Sequence, residues 1–373
     1  MNKYILWLLL LPHAAGAQVQ TYSYHPAVER SSLYSVSVAA APQTALSTEG
    51  PDFVCFGIKE TAEVEVEYCA AVENVLVSPE SVKYSVEGSK VRLNLFPYDR
   101  VLVQINESKP LLVFANPIEN KPKFGKKDLV RVYKAGNIYE EGIITPKPAE
   151  TIYIEPGAVV RGTFNGTASN NVSVAGYGIL DATVDPKNHG MLMRRSFGAS
   201  VSGIVLLNSG RLSAAFAECR DLTIDNLKVI ASGDGGSSKS GGILLYGTSD
   251  AKVKRSFAYA PDAAFVLEPV NATYGWEGPV CNVLFENCIG CNSQSGNLLH
   301  LFGGAAPTSG LAPAPAPESA PGPTPAPTPV PAPASGPAAA LTSASVQTPA
   351  PAPDSEHVPL LATSPGGNAS TPE

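Results

Sequence analysis

Asp234 sits in the glycine-rich run Ser232-Gly233-Asp234-Gly235-Gly236, and Asp262 follows a proline in Pro261-Asp262-Ala263-Ala264. A loop so rich in glycine can fold back toward Asp262, and two carboxylates brought together can divide acid and base work, one protonated and one ionised. Tyr246, Tyr259 and Trp276 lie nearby in sequence, with flat faces that can stack on the apolar faces of sugar rings or on one another. His189 and His300 lack metal-ligand spacing, so no metal site is expected. No phosphate loop, Ser/His/Asp arrangement or cofactor fingerprint is present, so no cofactor is expected.

These residues must be held by strands. Residues 21–117 show period-two runs such as Leu33-Tyr34-Ser35-Val36-Ser37-Val38 and Val64-Glu65-Val66-Glu67-Tyr68, punctuated by proline and glycine. Such alternation predicts antiparallel strands with one wet face, and a β-sandwich over 18–120 is the economical packing. From about residue 151 short apolar strands recur every two to three dozen residues, starting near 152, 172, 201, 222, 251 and 283. This period, with little helical signal, predicts a parallel β-solenoid over 151–303, of roughly six coils. Asn226 and Asn287 follow their strands at matching turns, with Arg255 at the same place between them. Asparagine there suits left-handed backbone. Residues 121–150 read as a linker and entry to the solenoid, and carry the basic run Lys121, Lys123, Lys126, Lys127, Arg131 and Lys134. That run is a solvated face or a rim for acidic glycans.

The two ends differ from the middle. Met1-Asn2-Lys3, the apolar residues 4–11 and Ala15-Gly16-Ala17 have the order of a secretory signal peptide, with cleavage expected after Ala17. The apolar run is too short to span a bilayer, so membrane insertion is not expected. From Gly304 onward there is no Lys, Arg, Cys or aromatic residue, and 18 of the 34 prolines lie there. A segment of that composition, 304–373, cannot bury a core and is expected to be a disordered stalk, spacer or wall tether. Net charge is −7, and four acids of the tail, Glu318, Asp354, Glu356 and Glu373, account for much of it. Nucleic acid is disfavoured as a partner, because phosphate binding needs a basic footprint. The expected location is extracellular, secreted or in a cell wall. Secretion permits disulfides, and Cys55, Cys69, Cys281, Cys288 and Cys291 are the candidates; Cys288-x-x-Cys291 has no second pair to make a metal site. Glycosylation sequons occur at Asn106, Asn165, Asn171, Asn271 and Asn368.

The tokens YIEPGAVVRG, VSVAGYGILDA, VSGIVLLNS, CRDLTIDNLKVI, GGILLYGTSDAKVKRSFAYAPDAAFVL and VLFENCIGCNSQSGN occur in an order that resembles the polygalacturonase and dextranase group, glycoside hydrolase families 28 and 49. The resemblance implies an all-β chain: a β-sandwich followed by a right-handed parallel β-helix of the pectin-lyase-like kind. It also implies inverting hydrolysis of a pectin- or dextran-type polysaccharide, with a protonated carboxyl on the leaving oxygen and an ionised one on water. In that group the acids come from an Asp-Gly before one strand and an Asp-Asp pair one coil later. Here Ser240-Gly241-Gly242 places Gly241 at the first position and Asp262-Ala263 keeps only one member of the second. Gly296-Asn297-Leu298 stands where polygalacturonases have a histidine between glycines, so Gly241, Ala263 and Asn297 mark vacated positions. The sequence therefore predicts a polysaccharide-active β-helix protein of hydrolase ancestry, with Asp262 and Asp234 as the remaining acid pair. The alternative is a non-catalytic glycan-binding or structural wall protein.

Overall fold

In a computed structural model the chain is described over residues 18–232, 241–292, 298–301 and 342–347. The expected signal peptide and Asn368 lie outside those residues, as does the proline-rich segment apart from Thr342–Gln347. The described residues form strands and turns with no α-helix, and so no helix long and apolar enough to cross a membrane.

The N-terminal part is a sandwich of two sheets. One has the order Val19–Thr21, Asp52–Ile58, Leu111–Pro117, Arg100–Ile105, Val75–Ser78, with Ala45–Leu46 also beside Asp52–Ile58. The other has the order Ala41–Gln43, Tyr34–Val38, Ala62–Tyr68, Lys90–Leu95, Tyr84–Glu87. Their facing sides make a core of Val36, Val38, Val54, Phe56, Val64, Val66, Leu93, Val103 and Val113. The second sheet is antiparallel throughout and alternates as expected: Val64 and Val66 are buried, while Glu63 and Glu67 face water. The first sheet departs from the expectation on two counts. Asp52–Ile58 pairs with Leu111–Pro117 in parallel, and Asp52–Ile58 is buried at every position. Its outer face, with Phe53 and Cys55, packs on the solenoid, which explains why DFVCFGI reads as a continuous apolar run.

The solenoid is one continuous parallel sheet wound into three ladders. The first is Val130–Tyr133, Thr151–Ile154, Ser173–Gly176, Ser200–Ser202, Arg220–Asp225, Ser249–Lys254 and the start of Val283–Asn292. The second is Ile138–Ile144, the start of Val159–Thr167, Ile179–Asp181, Val205–Asn208, Lys228–Ala231, Phe257–Ala260 and the end of Val283–Asn292. The third is the end of Val159–Thr167, Met191–Arg194, Ala214–Ala217, Ile243–Tyr246, Phe265–Glu268 and Leu299–Leu301. Strand starts thus fall close to those read from the repeat. The first rung, at Val130, lies inside the stretch read as linker and entry to the solenoid. Of the basic run, Lys121 pairs with Glu155 and Arg131 with Glu150. Inside, aliphatic stacks such as Ile152, Val174, Val201, Ile224, Val253 and Phe285 run along the axis. The turn after the first ladder is left-handed in three successive coils, with φ of 56° at Asn226, 46° at Arg255 and 52° at Asn287. This is the match inferred from sequence, and glycine fills the same place at Gly176 and Gly203.

The outer face of the second ladder is covered by the sandwich. Val159, Ile179, Val205, Ile230, Phe257 and Ile289 pack on Tyr22, Phe53, Cys55, Leu102 and Phe114, with Phe114 and Phe257 edge to face at 5.1 Å. Buried Arg100 crosses between the domains, its Nη1 donating to the Asn287 carbonyl (2.9 Å) and its Nη2 to Asn287 Oδ1 (3.2 Å). Burial pushes its guanidinium down to about 10. Thr342–Gln347 lies antiparallel to Val283–Asn292, at the C-terminal end of the solenoid.

The cysteines do not form the expected bridges: all six are free thiols. Cys55 faces the solenoid from the first sheet, while Cys69 is exposed just past Ala62–Tyr68 in the other. Cys288 and Cys291, three apart on one strand, point to opposite faces, one into the solenoid interior and one toward the sandwich. Cys281 is half-buried on the return from the loop after Phe265–Glu268.

Candidate functional site

The third ladder carries both sequence positions at which acids were expected. Its strands run Leu192, Ala215, Leu244, Val266 in one outward row and Arg194, Ala217, Tyr246, Glu268 in the next. Between Arg194 and Glu268 these rows are small or apolar, and Ala215, Ala217, Leu244 and Tyr246 are nearly inaccessible.

They are buried by the chain's own loop. Residues 269–278 leave the end of Phe265–Glu268 and fold back as a strap, with Val270–Asn271 paired antiparallel to Trp276–Glu277. Trp276, only 4% exposed, lies 5.8 Å from the Tyr246 ring and 5.6 Å from His189, and Tyr274 stacks on it at 4.7 Å. A glycine contact admits the strap. A Cβ on Gly247, whose φ is +52°, would fall 2.6 Å from the Gly278 nitrogen. Leu212, Ala263 and Val266 complete the cluster under the indole.

Electrostatics follow from this cover. Burial, helped by Arg211, holds the His189 imidazole down to about 4, and its Nδ1 is buried without a hydrogen-bond partner. Burial pushes the Tyr246 phenol well above its ordinary range, with the Glu268 carboxylate adding to the effect, a hydrogen bond from Asn271 opposing it, and Asp262 contributing further. At the edge, burial raises the Glu218 carboxyl, but hydrogen bonds from Arg194, Arg195 and the Glu277 backbone bring it below its usual value.

Two of the vacated positions, Gly241 and Ala263, are closed as well as empty. A Cβ on Gly241 would lie 2.5 Å from Leu244 Cδ2 and 3.1 Å from the Ala263 carbonyl oxygen, so an aspartate there would have to displace a buried leucine. Ala263 is buried in the aromatic cluster. Asp262 is half-buried at the rim. Asp234 and Asn297 lie outside the described residues. The expected aromatic trio divides: Tyr246 and Trp276 meet on the third ladder, whereas Tyr259 points from the second ladder toward the sandwich. Of the sequons, Asn165 and Asn171 are exposed. The Asn106 amide is held in a turn, accepting from the Glu73 and Asn74 backbone and donating to the Ala71 carbonyl. Among the described residues no cluster of three or more His, Cys, Asp or Glu could hold a metal. His189 and Tyr274 were not anticipated as members of the site. Tyr274 lies in the turn that precedes Trp276–Glu277, and the closeness of the two aromatics in sequence was the available signal.

No protein-family model matches the sequence, and no curated protein matches it. Solved structures do. The chain is similar in fold to β-helix glycoside hydrolases. A putative glycosyl hydrolase from Parabacteroides merdae aligns at 18% identity over 43% of this chain and 82% of its own, with a TM-score of 0.36. Dex49A from Penicillium minioluteum aligns at 11% identity over 72% of this chain and 71% of its own, with a TM-score of 0.43. The polygalacturonase of Erwinia carotovora ssp. carotovora aligns at 10% identity over 44% and 58%, with a TM-score of 0.37. The likeness is one of fold alone.

Proposed function

We propose that this is a secreted glycan-binding protein on a hydrolase-type β-helix, and that it binds polysaccharide without cleaving it by the inverting route. One observation carries this reading: the face where acids would act is filled by Gly241, Ala263, Ala215 and Ala217 and roofed by Trp276. Inverting hydrolysis needs two carboxyls about 6.5 to 9.5 Å apart with a water between them and open sugar access. A ring cluster from which solvent is excluded leaves no place for either. The ligand class expected is a pectic or other wall glycan, held along the strap and its rim of Asp262, Glu268, Arg194 and Arg195. The Pro/Ala segment would serve as a wall tether.

A second reading keeps hydrolysis, because Asp262 and Glu268 both act on Tyr246 and an opened strap would put them at one surface. Incubation with pectic and dextran-type polysaccharides, followed by reducing-sugar assay, separates the two. We expect no release above a heat-killed control, with retardation of the protein in gels containing at least one of these glycans. Release that disappears in Asp262→Asn would establish hydrolysis instead, and absence of retardation by every glycan would sink the binding reading.

A further inference from the structure

A second concavity lies on the other side of the solenoid, where the first ladder turns beneath the exit of the sandwich. It has a volume of about 430 Å³ and is lined by Tyr98, residues 117–120 and Pro122 from the sandwich side and by Tyr153, Tyr177, Ser202, Asp225 and Asn226 from the solenoid. Its shape follows from the sequence of one outward row. Tyr153, Ala175, Ser202 and Asp225 are register partners near the ends of successive first-ladder strands, and the small side chains in the middle leave a hollow between the large ones at the ends. Three strand spacings separate those ends, about 14 Å at 4.8 Å each. The turn below is equally bare, with Gly176 and Gly203 stacked so closely that a Cβ on Gly203 would lie 2.3 Å from the Gly176 carbonyl oxygen.

The walls are rigid and polar. The Tyr177 ring is stacked with Tyr22 (6.5 Å between centroids, 13° between planes), and the Lys228 ammonium lies 5.4 Å from its centroid. Arg255 lies over Tyr98 at 4.2 Å while its guanidinium pairs with the Asp225 carboxylate through both Nε and Nη2. Tyr98 itself has left-handed backbone, φ +73°, a conformation that bulky residues keep where their surroundings demand it. Glu119 accepts from the Tyr153 hydroxyl. Among the described residues that line the hollow, Asn226 has an unsatisfied buried polar atom. Asn226 is 3% exposed and donates its Nδ2 to Asn116 Oδ1 (3.2 Å), yet its own Oδ1 accepts no hydrogen bond although the residue lines the hollow. Leaving a buried acceptor unpaired is costly, and a ligand hydroxyl would pair it.

We propose that this cleft is a saccharide-binding site for a neutral pyranoside, distinct from the strap face. A pyranose has an apolar face for the Tyr177 ring and hydroxyls that donate to Asn226 Oδ1 and to the carboxylates of Asp225 and Glu119. With the Asp225 carboxylate balanced by Arg255, the Glu119 carboxylate supplies the repulsion toward a uronate, so the site selects neutral sugar over acidic sugar. The hollow has the size of small-ligand sites and the length of two linked pyranose units. The proposal takes its ligand class from the glycan-binding reading and stands on separate residues.

The test is saturation-transfer NMR and calorimetry on the intact protein, with maltotriose, cellotriose and laminaritriose as neutral probes and trigalacturonate as the acidic one. At least one neutral trisaccharide should bind at least tenfold more tightly than trigalacturonate. Tyr177→Ala should weaken it tenfold or more, and Ser202→Tyr, which fills the hollow without removing any wall, should abolish it. Glu65→Gln, on the far sheet of the sandwich, should leave it within twofold. Melting curves confirm that each variant is folded. No binding of any neutral trisaccharide, equal binding of trigalacturonate, or undiminished affinity in both cleft variants would overturn the proposal. Polymer retardation that persists while the cleft variants change nothing would overturn this site alone and leave the glycan-binding reading standing.

Discussion

The solenoid covers two of its three outer faces, and the two covers are chemically unlike. The second ladder is covered by a separate domain, through an apolar interface that includes two buried cations, Arg100 and Lys228. The third is covered by ten residues of the solenoid's own chain, through aromatic rings. The first cover is made of two sheets packed broadly together and can hold charges because backbone carbonyls are at hand: Lys228 Nζ donates to Gly203 O (2.8 Å) and to Asn116 Oδ1 (2.6 Å). The second is a strap whose removal would expose rings without unfolding a domain. The difference teaches that one face is structural and the other is closed by a part small enough to move.

The strongest way to break this comparison is to change the cation under the sandwich. Burial, reinforced by the Arg100 charge, lowers the Lys228 amine to about 7. A depressed lysine means that the unfolded chain binds a proton the folded chain lacks between about 7 and its ordinary value near 10.5, so stability from this group falls as pH drops through that window. Summed over the window the effect is on the order of 5 kcal/mol. Chemical unfolding from pH 7 to 10 should show stability rising with pH in the native protein and a much flatter profile in Lys228→Met. Equal slopes would mean that the amine is not isolated from water.

Next in size is the interface itself. Phe257→Ala removes a fully buried ring from the contact with Phe114 and should cost about 3–5 kcal/mol, measured as a lower urea midpoint for sandwich and solenoid together. Two separate transitions, with the sandwich unaffected, would show that the domains do not fold as one unit. On the other face, Trp276→Ala should cost less than about 3 kcal/mol, since a strap can collapse where a domain interface cannot. Its sharper signature is His189. A depressed imidazole gives stability above about 6.5 that is lost as pH falls toward 4, and in Trp276→Ala the histidine should titrate near 6.5 by NMR. If it stays near 4, the indole is not what excludes water. Smallest is the exposed cluster of Glu65 with Lys90 and Arg92 on the far sheet. Glu65→Gln should leave the unfolding midpoint within error, because solvent screens such pairs.

Much of this architecture was legible beforehand, for reasons visible in particular residues. Val64-Glu65-Val66-Glu67 alternates because one face is wet, and the solenoid repeat shows because each coil needs the same inward residues. Asn226 and Asn287 marked a left-handed turn because few side chains tolerate one. Other features were hidden. DFVCFGI showed that both faces are buried without showing what buries them. The Cys288-x-x-Cys291 spacing suggested a local pair, yet strand geometry turns the two thiols apart. Gly241 and Ala263 were recognisable as missing acids, but nothing in their spacing announced that Trp276 would lie over them.

The sequence by itself determined which side chains face in and out along each strand, since period-two alternation and a regular coil length are local rules set by backbone geometry. It also showed that Gly241 and Ala263 stand where the resembled group has acids. Only the tertiary structure decided that this face is closed, that Tyr259 belongs to a different wall from Tyr246, and that an open polar cleft exists around Tyr177. Those outcomes depend on how a returning strap and a preceding domain pack on the solenoid, and such contacts join residues far apart in the chain through shape complementarity, which leaves no periodic trace in sequence.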